Sequence, residues 1–170
     1  MSGRIVVMGV SGCGKSTLAQ GLADALGWTF IEGDLLHPPE NVARMAAGIA
    51  LDDAARHPFL CNVADALRAA PAGAVAACSA LKRSYRDLVR ARAGEVVFVL
   101  PTVTRQTLAA RMEQRSDHFM PASLLNSQLA TLELPGSDED AVTVDGDLSV
   151  AAQVAAVLRA RSWTRGSYAA

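Results

Sequence analysis

Gly9-Val10-Ser11-Gly12-Cys13-Gly14-Lys15-Ser16 is a complete G-x-x-x-x-G-K-[ST] segment, and its reading decides the fold. Glycine lets a backbone turn through left-handed conformations, so that successive N–H groups converge on one anion. A lysine after such a turn reaches the outer phosphates of a nucleotide, and the hydroxyl beside it suits Mg²⁺. The flanks agree. Ile5-Val6-Val7-Met8 is an apolar run of buried-strand type, and residues 17–26 place Leu18, Leu22 and Leu26 at i, i+4 and i+8 of a helix. Phosphate then lies on a helix N-terminus, where the backbone dipole favours negative charge. Gly9, Val10, Ser11, Gly12, Cys13, Gly14, Lys15, Ser16 and Thr17 are therefore the expected nucleotide-binding residues, with Ser16 on the metal.

Composition narrows the classes. The chain has 170 residues, enough for one domain with a real core, 51% of them hydrophobic, and a net charge of −1. That balance argues against a nucleic-acid partner. No apolar run reaches the ~18 residues of a membrane span. The first strand begins within a few residues of Met1, so no secretory leader is expected. Cys13, Cys61 and Cys78 are odd in number and lack metal spacing, which suits reduced thiols and a cytoplasmic setting. Cys61 reads as a core residue and Cys13 as a reactive thiol inside a positive loop. Of sixteen basic residues only Lys15 and Lys82 are lysines. Where arginine is the general cation, a lysine marks a task for a compact ammonium. Lys82 becomes a candidate on that ground, the alternative being a surface lysine.

Strands are predicted at 5–8, 29–32, 74–78, 95–100 and 141–144. Helices are predicted at 17–26, 38–47, 53–70, 82–92, 104–115, 121–132 and 149–161, with Pro58 kinking or splitting the third. Residues 162–170 read as a frayed tail. Alternation of this kind gives an α/β fold, a parallel sheet with helices on both faces. Sites in such sheets lie at the carboxyl ends of strands. Three places qualify: the phosphate loop, Asp34, and the segment Ser79-Ala80-Leu81-Lys82.

A phosphate loop alone leaves several nucleotide chemistries open. No Asn-Lys-x-Asp guanine motif is present, and the third strand ends in Ala-Ala-Cys-Ser without the acidic residue that ATPases carry there. A chain this short suits a small-metabolite kinase, which needs a hydroxyl in line with the γ-phosphorus and a carboxylate to orient it. Asp34, after Gly33 at a strand end, is the expected catalytic carboxylate. His37 either meets a substrate hydroxyl or merely opens a helix. Lys82 and Arg86, at i and i+4, form either an anion clamp or a solvated basic face. Arg111 and Arg115 repeat that spacing before the segment 116–121. They read as a hinged lid over about 111–125 that brings guanidiniums to the transferred phosphoryl group, the alternative being a polar helix face.

Taken in order, Gly9 to Thr17, Gly33-Asp34-Leu35-Leu36-His37-Pro38, Cys78-Ser79-Ala80-Leu81-Lys82, Tyr85-Arg86, His118-Phe119-Met120-Pro121, Leu124-Leu125-Asn126-Ser127-Gln128 and Thr131-Leu132-Glu133 resemble the gluconate kinase family. That family is related to shikimate kinase within the nucleoside-monophosphate-kinase-like P-loop fold. The resemblance runs from Ile5 to about Val157. It implies a parallel-stranded P-loop kinase with a short helical lid, ATP and Mg²⁺, D-gluconate as substrate, 6-phospho-D-gluconate as product, and a homodimer. It further implies Asp34, His37, Arg44, Lys82, Arg86 and His118 around the substrate, with the carboxylate on Lys82, Arg86 and Arg44. Lys15, Asp34, Arg111 and Arg115 carry the chemistry, Arg111 also touches ATP, and Asp34 joins the metal through water. Departures fall at Ala50, Ala54, Ala55, Phe59 and Asp117, where the family tends to a proline, acidic residues, a tryptophan and a glycine. The alternatives are a shikimate or other polyol-acid kinase and, in another class, a non-catalytic nucleotide-binding protein.

Overall fold

The computed structural model describes residues 3–114 and 122–161. Five strands, β1 (Arg4–Val7), β2 (Thr29–Glu32), β3 (Ala74–Ala77), β4 (Val97–Thr102) and β5 (Ala141–Asp145), form one sheet in the order β2-β3-β1-β4-β5. Every pairing is parallel. The helices are α1 (Lys15–Leu26), α2 (Pro39–Ala46), α3 (Asp53–Ala69), α4 (Arg83–Ala93), α5 (Arg105–Glu113), α6 (Ala122–Thr131) and α7 (Val150–Ala160).

The three inner strands are apolar, apart from Arg4 at the start of β1 and Thr102 at the end of β4, because both of their faces are covered. Side chains alternate across the sheet. Ile5 and Val7, with Val75, Val99 and Val144, pack on Leu18 and Leu22 of α1 and Val157 of α7. Val6 and Met8, with Ala76 and Phe98, pack on Phe59, Leu60 and Val63 of α3 and Val89 of α4. Gly21 sits inside α1, where glycine costs about 1 kcal/mol relative to alanine. A Cβ there would come within 3.1 Å of Val154 and 3.2 Å of Val150. The bare position sets how closely α1 and α7 approach.

Several boundaries differ from expectation. Helix α3 is unbroken through Pro58. The proline lies one turn past the start, so it deprives only the Ala54 carbonyl of its helical partner. Lys82 is not in α4; it is the extended residue before it, at φ −95° and ψ 153°. After β2 the chain makes a 3₁₀ turn, Gly33–Leu36, which the sequence reading left as a bare strand end. Helix α5 stops at Glu113. Arg115, Asp117, His118 and the tail 162–170 lie outside the described residues.

Candidate active site

The carboxyl ends of β1, β2 and β3 meet above the centre of the sheet, at the point where chain connections diverge to either side. The Gly9 N–H donates to the Ser79 carbonyl at 3.1 Å, stitching the end of β1 to the end of β3. Gly9, Gly12 and Gly14 then take φ of 128°, 82° and 92°. A Cβ on Gly9 would lie 2.9 Å from Cys13 Sγ, so this glycine answers both to torsion and to space. Gly14 caps α1, and Lys15 and Ser16 begin its first turn. Lys15 Nζ donates to the Val10 carbonyl at 3.0 Å, which lays the ammonium across the loop. Thr17 follows and is exposed.

Arg111 of α5 borders the same loop. Its guanidinium donates to the carbonyls of Gly12 at 3.4 Å and Gly146 at 3.0 Å. It thereby bridges the phosphate loop and the turn that leads into α7. From the other side, Gln128 of α6 accepts the Ser11 N–H at 2.7 Å.

Lys15, Asp34, His37, Arg56, Ser79 and Gln128 line one cleft. Asp34 stands exposed in the 3₁₀ turn, whose opening is capped by the Glu32 carboxylate accepting the Asp34 N–H at 3.4 Å. Gly33 makes this turn fit, because a Cβ there would overlap the Ala77 carbonyl of β3. The His37 ring stacks on Phe59 at 3.7 Å with an interplanar angle of 6°. Its Nδ1 meets the Asn41 amide at 3.4 Å. Burial lowers the His37 pKa, with Asp34 opposing that shift, so the ring is neutral at pH 7 and free to hydrogen-bond rather than to pair charge. Phe59 stands where the family tends to a tryptophan, and it keeps an aromatic plate under that histidine.

All three of the expected substrate cations, Arg86, Lys82 and Arg44, lie outside the cleft lining. Arg86 is wholly buried and forms a two-pronged ion pair with Glu139, 2.7 Å on each prong. Its remaining donors reach the carbonyls of Ala80, Leu81 and Glu133. It locks the turn at Ala80, whose φ is +39°, and has no face toward the cleft. Lys82 Nζ lies on both oxygens of Asp53, at 2.8 and 3.1 Å, in a separate open depression with Tyr85 and Thr131. Arg44 pairs with Asp52 at 3.3 Å and does not line the cleft. Cys13 is also corrected: it is 3% exposed and packs into the core under the loop, not toward solvent. Cys61 is the half-buried thiol, and burial pushes Cys78 up to about 12.

The cleft's second cation, besides Lys15, is Arg56, which the sequence reading did not place at the site. It is 8% exposed. Its Nε donates to the Leu51 carbonyl at 3.1 Å, and among the described residues no carboxylate pairs with it. One signal was available. Arg56 lies in the opening turn of a helix, where the dipole disfavours a positive charge. Breaking a local rule is a mark of function. A Mg²⁺ ion would find oxygen donors in the Ser16 hydroxyl at the head of α1 and the Asp34 carboxylate in the cleft. No cluster of three metal-ligating side chains occurs among the described residues. That donor set fits a cation that keeps its waters and leans on phosphate oxygens.

A phosphate loop on the central strand of a 2-3-1-4-5 parallel sheet, opening on a small cleft with a carboxylate opposite the lysine, defines a P-loop small-molecule kinase. The family described as an AAA domain matches residues 5–135. A gluconokinase from Gluconobacter oxydans is 54% identical over 146 residues, 84% of this chain and 82% of that one. The crystal structure of a gluconokinase from Sinorhizobium meliloti superposes with a TM-score of 0.84 at 47% identity, covering 92% and 90% of the two chains. That of a sugar kinase from Janibacter sp. HTCC2649 gives 0.88 at 42%, covering 94% of each. The chain belongs to the gluconokinase family.

Proposed function

We propose that this chain transfers the γ-phosphoryl group of ATP to the terminal hydroxyl of D-gluconate, giving 6-phospho-D-gluconate and ADP. The substrate is a chain with a carboxylate at one end and a primary hydroxyl at the other. A site for it needs a cation for the first and a carboxylate beside the nucleotide for the second. The observation that carries the reading is that Lys15, Asp34 and Arg56 line one cleft.

In this reading the loop N–H groups and Lys15 hold the outer phosphates. Ser16, with Asp34 through water, would hold Mg²⁺, which would supply positive charge to the phosphates. Arg56 takes the gluconate carboxylate by charge-assisted hydrogen bonds, in place of the Lys82 and Arg86 pair. His37, as a neutral ring, meets a hydroxyl along the sugar chain. Asp34 orients the terminal hydroxyl and accepts its proton as the bond to phosphorus forms. Such transition states are loose, so alignment and charge count for more than base strength. Arg111, which borders the phosphate loop, faces the nucleotide; Arg115 and His118 lie outside the described residues. The enzyme works as a cytoplasmic homodimer; among the described residues no helix is long and apolar enough to cross a membrane.

An ADP-release assay across D-gluconate, other aldonates and shikimate tests the reading. Turnover is expected with gluconate and its near aldonate relatives and not with shikimate. ADP release that ignores gluconate would refute it.

A further inference from the structure

The Asp53–Lys82–Tyr85 cluster lies beside the cleft without lining it. Asp53 and Arg56 are three residues apart at the start of α3, which makes them neighbours on the helix surface. A buried guanidinium next to a carboxylate ordinarily pairs with it. Here it does not. Both oxygens of Asp53 are taken by Lys82 Nζ, at 2.8 and 3.1 Å. The Tyr85 hydroxyl donates to the same carboxylate at 2.5 Å. Both cations lie over the Tyr85 ring, Arg56 Cζ 5.7 Å and Lys82 Nζ 5.5 Å from its centroid. Lys82 and Tyr85 also hold the Asp53 carboxyl below its usual range, and Arg56 adds to that shift only through space and last among the causes.

We propose that Lys82 and Tyr85 are positioning residues that hold the Asp53 carboxylate away from Arg56, so that Arg56 stays open for the carboxylate of the substrate. Asp53 is the internal competitor of gluconate, and Lys82 occupies it. The inference rests on Arg56 being the receptor, as read above. It accounts for a lysine that breaks the arginine habit of this chain and lies outside the cleft. A compact ammonium on a flexible stem reaches both oxygens while leaving room for the tyrosine hydroxyl.

Sign-reversing epistasis in the full-length enzyme is the test. Arg56→Gln is expected to raise the gluconate KM about a hundredfold with the ATP KM unchanged, the loss of one charge-assisted contact. Lys82→Met releases Asp53 onto Arg56, and is expected to raise the gluconate KM about tenfold with little change in kcat. Adding Asp53→Asn to Lys82→Met removes the competitor, and is expected to bring the gluconate KM back to within about threefold of the parent, which also shows the variant folded. A double variant as poor as Lys82→Met alone overturns the inference while Arg56→Gln still upholds the receptor. An Arg56→Gln enzyme with an unchanged gluconate KM overturns the receptor and the inference together.

Discussion

Two arginines sunk in the same face of the molecule have opposite partners. Arg86 is matched by Glu139 and by three carbonyls, so its charge is spent inside the protein. Arg56 has one carbonyl and the edge of a cleft. The sequence could not sort them, because the i, i+4 spacing of Lys82 and Arg86 suggested a shared helix face. Lys82 is extended and precedes the helix, so the spacing never applied to it. The places of Lys15 and Asp34 were legible because Lys15 ends the glycine loop that joins β1 to α1 and Asp34 lies just past the end of β2. Asp34 gives the sharpest prediction at this scale. Asp34→Asn keeps the shape and hydrogen-bonding reach of the side chain and removes its charge. It is expected to cut kcat about a hundredfold or more, with ATP affinity by titration nearly unchanged. Near-normal turnover would remove Asp34 from the reaction.

The element that presents Asp34 is a single 3₁₀ turn pressed against β3. Its first residue has no room for a methyl group, since the Ala77 carbonyl lies 2.0 Å from where a Cβ would be. Gly33→Ala must therefore push the turn outward. It is expected to destabilise the fold by about 1–3 kcal/mol, seen as a lower melting temperature. It also lowers kcat, because Asp34 moves with the backbone. A stable variant with full activity would show that the turn tolerates displacement. Most elements were legible from apolar periodicity; in the structure Asp52 and Ser149 accept the N–H groups of Ala55 and Ala152 at the heads of α3 and α7. The 3₁₀ turn was not, because four residues carry no period, and what shapes them is a carbonyl on another strand. The link from Gln128 to Ser11 escaped for the same reason, since no local pattern joins residues 117 positions apart.

Across the whole molecule, the buried Arg86–Glu139 pair fastens α4, the exit of α6 and the approach to β5. Arg86 first, then the Gly136 N–H and Arg90, hold Glu139 down to about 2 against the cost of its burial. A carboxyl whose pKa is depressed on folding adds stability above its unfolded pKa and loses it as pH falls through the folded value. Stability should therefore drop by about 3 kcal/mol between roughly pH 4.5 and pH 2. Urea unfolding at stepped pH measures it. Glu139→Gln should be weaker at neutral pH and lack that slope, and a parallel slope in the variant would assign the acid sensitivity to other groups. The sheet has a consequence in time as well. β1 leaves the ribosome ahead of β3 and β4, between which it lies, and it pairs with no nearer segment. The part of the chain that recognises the nucleotide must thus wait for partners distant along the chain before it can settle.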